Sequence, residues 1–295
     1  MTDTLASIGC SFVWGDELIG FDDNPPTHFN NTFGQILSNQ LGYEHVNLAC
    51  CGNGNDKIFR DALLYLNDIK QQTPKVMVVV WSAFRRIELF EVKSPHEEEK
   101  MKIYREQSMS QFSPVREHYL NKENKELAAM WCTLINNNET GIIHTLTYMN
   151  AMQTLCDGLG IKLLQSVFHP AMSNQLLNIF YENGVKDKFC NDYNRFIYGQ
   201  IKTLRPECRG GIGFVKLIDK IFKDPTLTRK DVRTPDGCTK DHTGKNILDD
   251  SGFVTMYELG KNLDDIAEYG HPKEKTHEVF ANNLYKILEI IEKRT

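Results

Sequence analysis

A chain of 295 residues with 41% hydrophobic and 25% charged side chains has enough apolar surface for one large α/β domain or two ordinary ones, which excludes global disorder. The net charge of −5 argues against a nucleic-acid partner, which normally needs a basic stripe to displace counterions from phosphates. No apolar run approaches the roughly 18 residues that span a bilayer, so no membrane association is expected.

The N-terminus, Met1-Thr2-Asp3-Thr4, lacks the basic region of a signal peptide. Eight cysteines, at 10, 50, 51, 132, 156, 190, 208 and 238, include no C-x-x-C pair. Zinc-finger and thioredoxin spacings are therefore absent, and several of the cysteines sit in apolar stretches. Free thiols in a reducing setting are expected, in the cytoplasm or in a particle assembled there.

In chain order, Leu5 to Phe12 is an apolar run that ends in Gly9-Cys10-Ser11, a buried strand feeding a turn. Phe33, Ile36, Leu37 and Leu41 fall at helical spacing, with Gly42 as a stop. His45 to Ala49 reads as a second strand, and Ile58, Ala62, Leu66 and Ile69 as the next helical face. Lys75 to Ser82 has a continuous β-branched run without alternation, which suits a central parallel strand covered on both faces. Gly141 to Leu159 is helical, Ile161 to Phe168 is a fourth strand, and a last helix runs from about Lys273 to Ile291.

Strand and helix thus alternate, which predicts a mainly parallel sheet between helical layers, a three-layer α/β/α sandwich of flavodoxin-like type. Ligands of such sheets bind beyond the carboxyl ends of the strands. Two polar, charge-dense stretches, at about 86–136 and 205–265, read as insertions in a single domain spanning 1–295.

Three segments at that edge can carry chemistry. Gly9-Cys10-Ser11-Phe12-Val13-Trp14-Gly15-Asp16 places a serine on the turn after strand one, with flanking glycines that allow a tight backbone. Taken alone, that serine could equally satisfy a turn or helix backbone. Asn47-Leu48-Ala49-Cys50-Cys51-Gly52-Asn53-Gly54-Asn55-Asp56 follows strand two and opens a helix, where peptide N–H groups can face an anion or where Asn55 or Asp56 can cap. No Gly-Lys-Ser/Thr and no full G-x-G-x-x-G is present, so neither a P-loop nor a dinucleotide site is expected. Glu268-Tyr269-Gly270-His271-Pro272 puts a histidine just before the last helix, with an acid three residues earlier that could fix its tautomer. His271 and His277 are six apart, the wrong spacing for one helical face, which disfavours a metal site.

In order and placement these segments resemble the blocks of the SGNH hydrolases, also called GDSL esterases or lipases. Gly9-Cys10-Ser11-Phe12-Val13-Trp14-Gly15 matches Gly-Asp-Ser-x-x-x-Gly with Cys10 in the Asp position. Asn47 to Gly52 fits the second block, and Glu268-x-x-His271-Pro272 fits Asp-x-x-His-Pro with Glu for Asp. The resemblance implies Ser11 as nucleophile, His271 as base, Glu268 as the orienting acid, and the N–H groups of Ser11 and Gly52 as oxyanion donors. The family's third block, Gly-x-Asn-Asp, is missing. Trp81-Ser82-Ala83-Phe84-Arg85 stands there, which leaves Ser82 or Arg85 as substitutes for the third donor.

A divergent SGNH-type serine esterase is therefore expected, acting on an acyl or acetyl ester of a carbohydrate or small molecule. Trp14, Asn53, Asn55 and Arg85 are candidates for substrate contacts. Tyr104, Tyr119, Trp131, Tyr193 and Tyr198 could line a polar groove or simply pack in the core. No cofactor and no metal is expected. The competing readings are a binding or structural protein on the same fold, favoured by the missing Asn, and an acyltransferase using the same serine.

Overall fold

The fold was taken from a computed structural model that describes residues 2–19, 27–68, 72–84, 138–168, 192–210 and 255–293. In chain order its elements are β1 (Thr4–Ile8), α1 (Ser11–Trp14), α2 (Phe33–Leu41), β2 (Glu44–Asn47), α3 (Asn55–Asn67), β3 (Val76–Trp81), α4 (Asn138–Gly158), β4 (Lys162–Val167), α5 (Asp192–Thr203), α6 (Met256–Leu263) and α7 (Glu274–Glu292). The four strands are parallel, in the order β2-β1-β3-β4.

The alternation of each strand divides the core into two clusters. Ala6, Ile8, Met77, Val79, Trp81, Leu163 and Val167 face one side and pack with Ile58, Ile142, Met149 and Ile197 of α3, α4 and α5. Leu5, Val76, Val78, Val80 and Leu164 face the other and pack with Phe33, Leu37, Met256, Phe280 and Leu284 of α2, α6 and α7. Every residue of β3 is buried, the physical basis of its unbroken apolar run. The expected α/β sandwich is the fold observed.

The chain steps from β1 to β2 on one side and then crosses to β3 on the other. The order therefore reverses between β1 and β3, and the crevice beyond their carboxyl ends is the natural ligand site. Ser11 stands there, three residues after the end of β1.

Three local expectations need correction. The first strand ends at Ile8 and does not reach Phe12, because Ser11 opens the short helix α1, which Gly15 closes at φ 90°. The cap of α3 is Gly54, not Asn55 or Asp56. Asn55 is turned inward instead: its Oδ1 accepts from the Ser82 N–H at 2.6 Å, and its Nδ2 donates to the Ser82 carbonyl at 3.0 Å and to Thr145 Oγ1 at 2.7 Å. The ends of the stretch at 205–265 belong to the core frame. Gly210 bridges Ser166 in parallel, and Met256–Leu263 is a helix closed by a capping box between Thr255 and Glu258. The stretch at 86–136 lies outside the described residues.

One imidazole joins two strands and another joins two helices. His45 Nε2 lies 2.8 Å from Ser7 Oγ, under Gly34. A Cβ at Gly34 would stand 2.3 Å from that ring nitrogen, so only glycine lets α2 come so close. His277 accepts at Nδ1 from the Phe33 N–H at 3.0 Å and joins α7 to α2. Burial lowers His277 to about 3 and His45 to about 4.

The unfolded chain protonates both rings below about pH 6.5, whereas the folded chain does not until the pH is far lower. More protons are then bound by the unfolded state, so stability falls as pH falls from 6.5 towards 4.5, by up to about 1.4 kcal/mol per pH unit for each ring. Urea midpoints measured across that window are expected to drop steeply. In His277→Asn the slope of stability against pH should shrink by about one proton; an unchanged slope would rule out this role for His277.

Candidate active site

Ser11 is the first residue of α1 and is nearly buried, at 8% exposure. The turn that carries it is clamped from the end of β2 and the loop after it. Asn53 Nδ2 donates to the Gly9 carbonyl at 3.0 Å, and Asn47 Nδ2 donates to the Val13 carbonyl at 3.3 Å. Gly9 permits this closeness, since a Cβ there would meet Val13 Cγ2 at 2.3 Å and the Val80 carbonyl at 2.8 Å. Cys10, in the position the resemblance gives to Asp, is buried in the apolar cluster on the α2–α7 side. A thiol serves there as a small hydrophobe.

His271 reaches the same point from the far end of the chain. It sits in a hairpin-like loop between α6 and α7, in which Ile266 bridges Pro272 and the Ala267 N–H donates to the His271 carbonyl at 2.8 Å. Gly270, at φ 91°, makes the reversal. Asp265 anchors the loop to the start of α7 by accepting from the Thr276 N–H at 2.6 Å and its hydroxyl at 2.8 Å. The ring packs edge-on against Phe12, at 5.3 Å between centroids, and Phe12 in turn meets Phe168 at 5.1 Å.

The His271 Nε2 lies 2.9 Å from Ser11 Oγ, and its Nδ1 lies 2.5 Å from Glu17 Oε2. A carboxylate only accepts, so Nδ1 carries the proton and Nε2 is free to accept from the serine hydroxyl. The acid on Nδ1 is thus Glu17 and not Glu268. Glu268 is exposed at the tip of the hairpin, where the turn that aims His271 inward carries residue 268 outward.

Glu17 holds its place through a left-handed backbone, at φ 64°, uncommon outside glycine. Its Oε1 accepts from the Tyr269 N–H at 3.1 Å, and its Oε2 accepts from the His271 N–H at 3.4 Å as well as from the ring. Partial burial raises its carboxyl, but the hydrogen bonds from the His271 ring and from the two peptide N–H groups outweigh this and hold it below the ordinary value. The segment that follows is tied down too, as the Ile19 N–H donates to Glu274 Oε1 at 2.7 Å. Reading the sequence by blocks missed Glu17. The available signal was an acidic pair, Asp16-Glu17, directly after the glycine that closes the serine's turn.

The remaining candidates divide. Gly52 is buried with φ 80°, on the loop beside Ser11. Ser82 is fully buried, and both polar groups of its peptide are engaged by Asn55. Asn53 and Asn55 are also buried, Asn53 Nδ2 on the Gly9 carbonyl and the Asn55 amide on the Ser82 backbone and Thr145 Oγ1. Trp14 is half-buried and packs on Phe29, at 4.8 Å between centroids, and on His28. Tyr198 packs against the core on the α4 side. Arg85, Tyr104, Tyr119 and Trp131, and the side chain of Tyr193, lie outside the described residues. The five described cysteines are free thiols. Among the described residues, no helix is long and apolar enough to cross a membrane.

Fold and site together define an α/β protein with a serine, a histidine and a carboxylate in a hydrogen-bonded line at the sheet's switch point. No protein-family model and no curated protein matches the sequence. The chain is similar in structure to a G-D-S-L family protein from Desulfitobacterium hafniense DCB-2, at 8% identity and TM-score 0.38, covering 96% of this chain and 98% of that one. It is similar also to the psychrotrophic esterase EstA from Pseudoalteromonas sp., at 8% identity and TM-score 0.41, covering 99% of each. A third likeness is to a carbohydrate esterase family 2 enzyme from Corynascus thermopiles (Myceliophthora fergusii), at 12% identity and TM-score 0.40, covering 98% of this chain and 67% of that one.

Proposed function

We propose that this chain is a divergent SGNH-type serine esterase whose triad is Ser11, His271 and Glu17. The observation that carries the reading is the line from Ser11 Oγ through the His271 ring to Glu17, with spacings of 2.9 and 2.5 Å. A serine needs an adjacent base to become a nucleophile, and the base needs a partner to fix its tautomer. A protein that only binds has no use for that order of groups.

In the reaction Ser11 Oγ forms a bond to the ester carbonyl carbon while its proton passes to His271 Nε2. The carbonyl electrons move onto oxygen, which the peptide N–H groups of Ser11 and Gly52 would stabilise; one such donor is worth about 3 kcal/mol. As the tetrahedral species collapses, the proton on Nε2 goes to the departing alcohol oxygen. Water then repeats the sequence on the acyl-serine and releases the acid. Glu17 stays ionised and stabilises the imidazolium formed in each half. The substrate class is an acyl or acetyl ester of a carbohydrate or small molecule, in keeping with the polar composition of residues 86–136 and 205–265.

A fluorophosphonate probe tests the reading directly. One probe per chain is expected, with the added mass located on Ser11 by peptide mapping. Wild-type protein that remains unlabelled, or is labelled at another residue, would refute it.

A further inference from the structure

Asp16 lies on the other side of the His271 ring from Glu17. Its Oδ2 is 3.6 Å from His271 Nε2, and the two side chains are 23% and 17% exposed. Its place is set by the nucleophile's own backbone: the N–H groups of Gly15 and Asp16 both donate to the Ser11 carbonyl, at 3.0 and 3.1 Å. Cys51 Sγ approaches the same carboxylate oxygen at 3.6 Å. Partial burial of the sulfur and the neighbouring Asp16 charge push that thiol up, so it approaches as a neutral donor.

Nε2 is the atom that returns a proton to the departing alcohol, so the alcohol oxygen must come within about 3 Å of it. The first substituents of that alcohol then fall within about 8 Å of Asp16 Oδ2, at a partly exposed rim where a fixed charge is only moderately screened. We infer that Asp16 is a specificity-determining residue that selects esters with a neutral or cationic alcohol part and disfavours those with an anionic one. The inference rests on the serine-esterase reading above.

The test compares kcat/KM for three acetates of increasing charge on the alcohol side: 4-acetoxybenzoate (anionic), phenyl acetate (neutral) and acetylcholine (cationic). Dividing each variant value by its wild-type value cancels the intrinsic reactivity of the esters. In Asp16→Asn the anionic ester should gain about five- to tenfold relative to phenyl acetate, and the cationic ester should lose by a similar factor. Asp16→Glu should keep the wild-type order. Wild-type protein supplies an arm free of folding effects: raising salt from about 0.05 to 0.5 M should move both ratios the same way by about threefold. Ratios that stay within twofold in both arms overturn the role of Asp16 and leave the esterase reading standing. Wild-type protein that neither reacts with the fluorophosphonate nor cleaves any of the three esters overturns both.

Discussion

Ser11→Ala is expected to lower kcat for p-nitrophenyl acetate by about 10⁵- to 10⁶-fold, and His271→Ala to lower it by a similar factor. The two groups act as one device. Without the ring, the hydroxyl 2.9 Å away keeps its proton and is a poor nucleophile. Without the hydroxyl, the base has nothing to deprotonate but water. The double variant should therefore be scarcely slower than either single one, because the second deletion removes nothing that still works. Steady-state rates of the three variants, with far-UV circular dichroism to show that each is folded, settle the matter. Single variants that each lose less than tenfold would break the mechanism.

Glu17→Gln should cost about 10³- to 10⁴-fold in kcat, whereas Glu268→Gln should leave it within about twofold. A carboxylate on Nδ1 fixes the tautomer that leaves Nε2 able to accept, and it stabilises the imidazolium that follows. An amide of the same shape offers no negative charge. It can also turn its NH₂ towards Nδ1, which places the ring proton on Nε2, where it faces the serine as a donor. Glu17 also accepts from the Tyr269 and His271 N–H groups, so some loosening of the hairpin is expected in the same variant. Glu268 is exposed and has no such duties. The comparison is made on kcat at saturating ester. Equal losses in the two variants would remove Glu17 from the triad.

Much of this was legible in the residues themselves. Periodicity located the four strands and the helices at Phe33–Leu41, Asn55–Asn67, Asn138–Gly158 and Glu274–Glu292, but not Asp192–Thr203, and the unbroken Val76–Trp81 run marked a strand covered twice. Placement after the first strand and before the last helix singled out Ser11 and His271, which the fold brings to 2.9 Å. The acid on His271 Nδ1 was not legible, because its position depends on two left-handed residues, Gly15 and Glu17. Local pattern shows that an acid is present but not where a turn aims it. Asn55 was misread for a related reason. An asparagine at a helix start usually caps, and only the approach of Ser82 from 27 residues away commits this amide elsewhere. Helix Met256–Leu263 was hidden within a polar stretch, since one amphipathic face over eight residues is a weak signal.

In the proposed triad the serine and its acid are six residues apart in sequence, while the histidine arrives from a position 260 residues beyond the serine. On the proposed reading, competence is thus a report on closure of the chain. That first segment carries a hydroxyl and an acid but no imidazole between them until the segment before the last helix docks. On the same reading, a chain in which these two segments are apart is expected to hold an unreactive serine. The Glu17 carboxylate on the imidazole also latches these two segments together, through the Tyr269 and His271 N–H groups of the hairpin, so one side chain serves both the proposed chemistry and the closure.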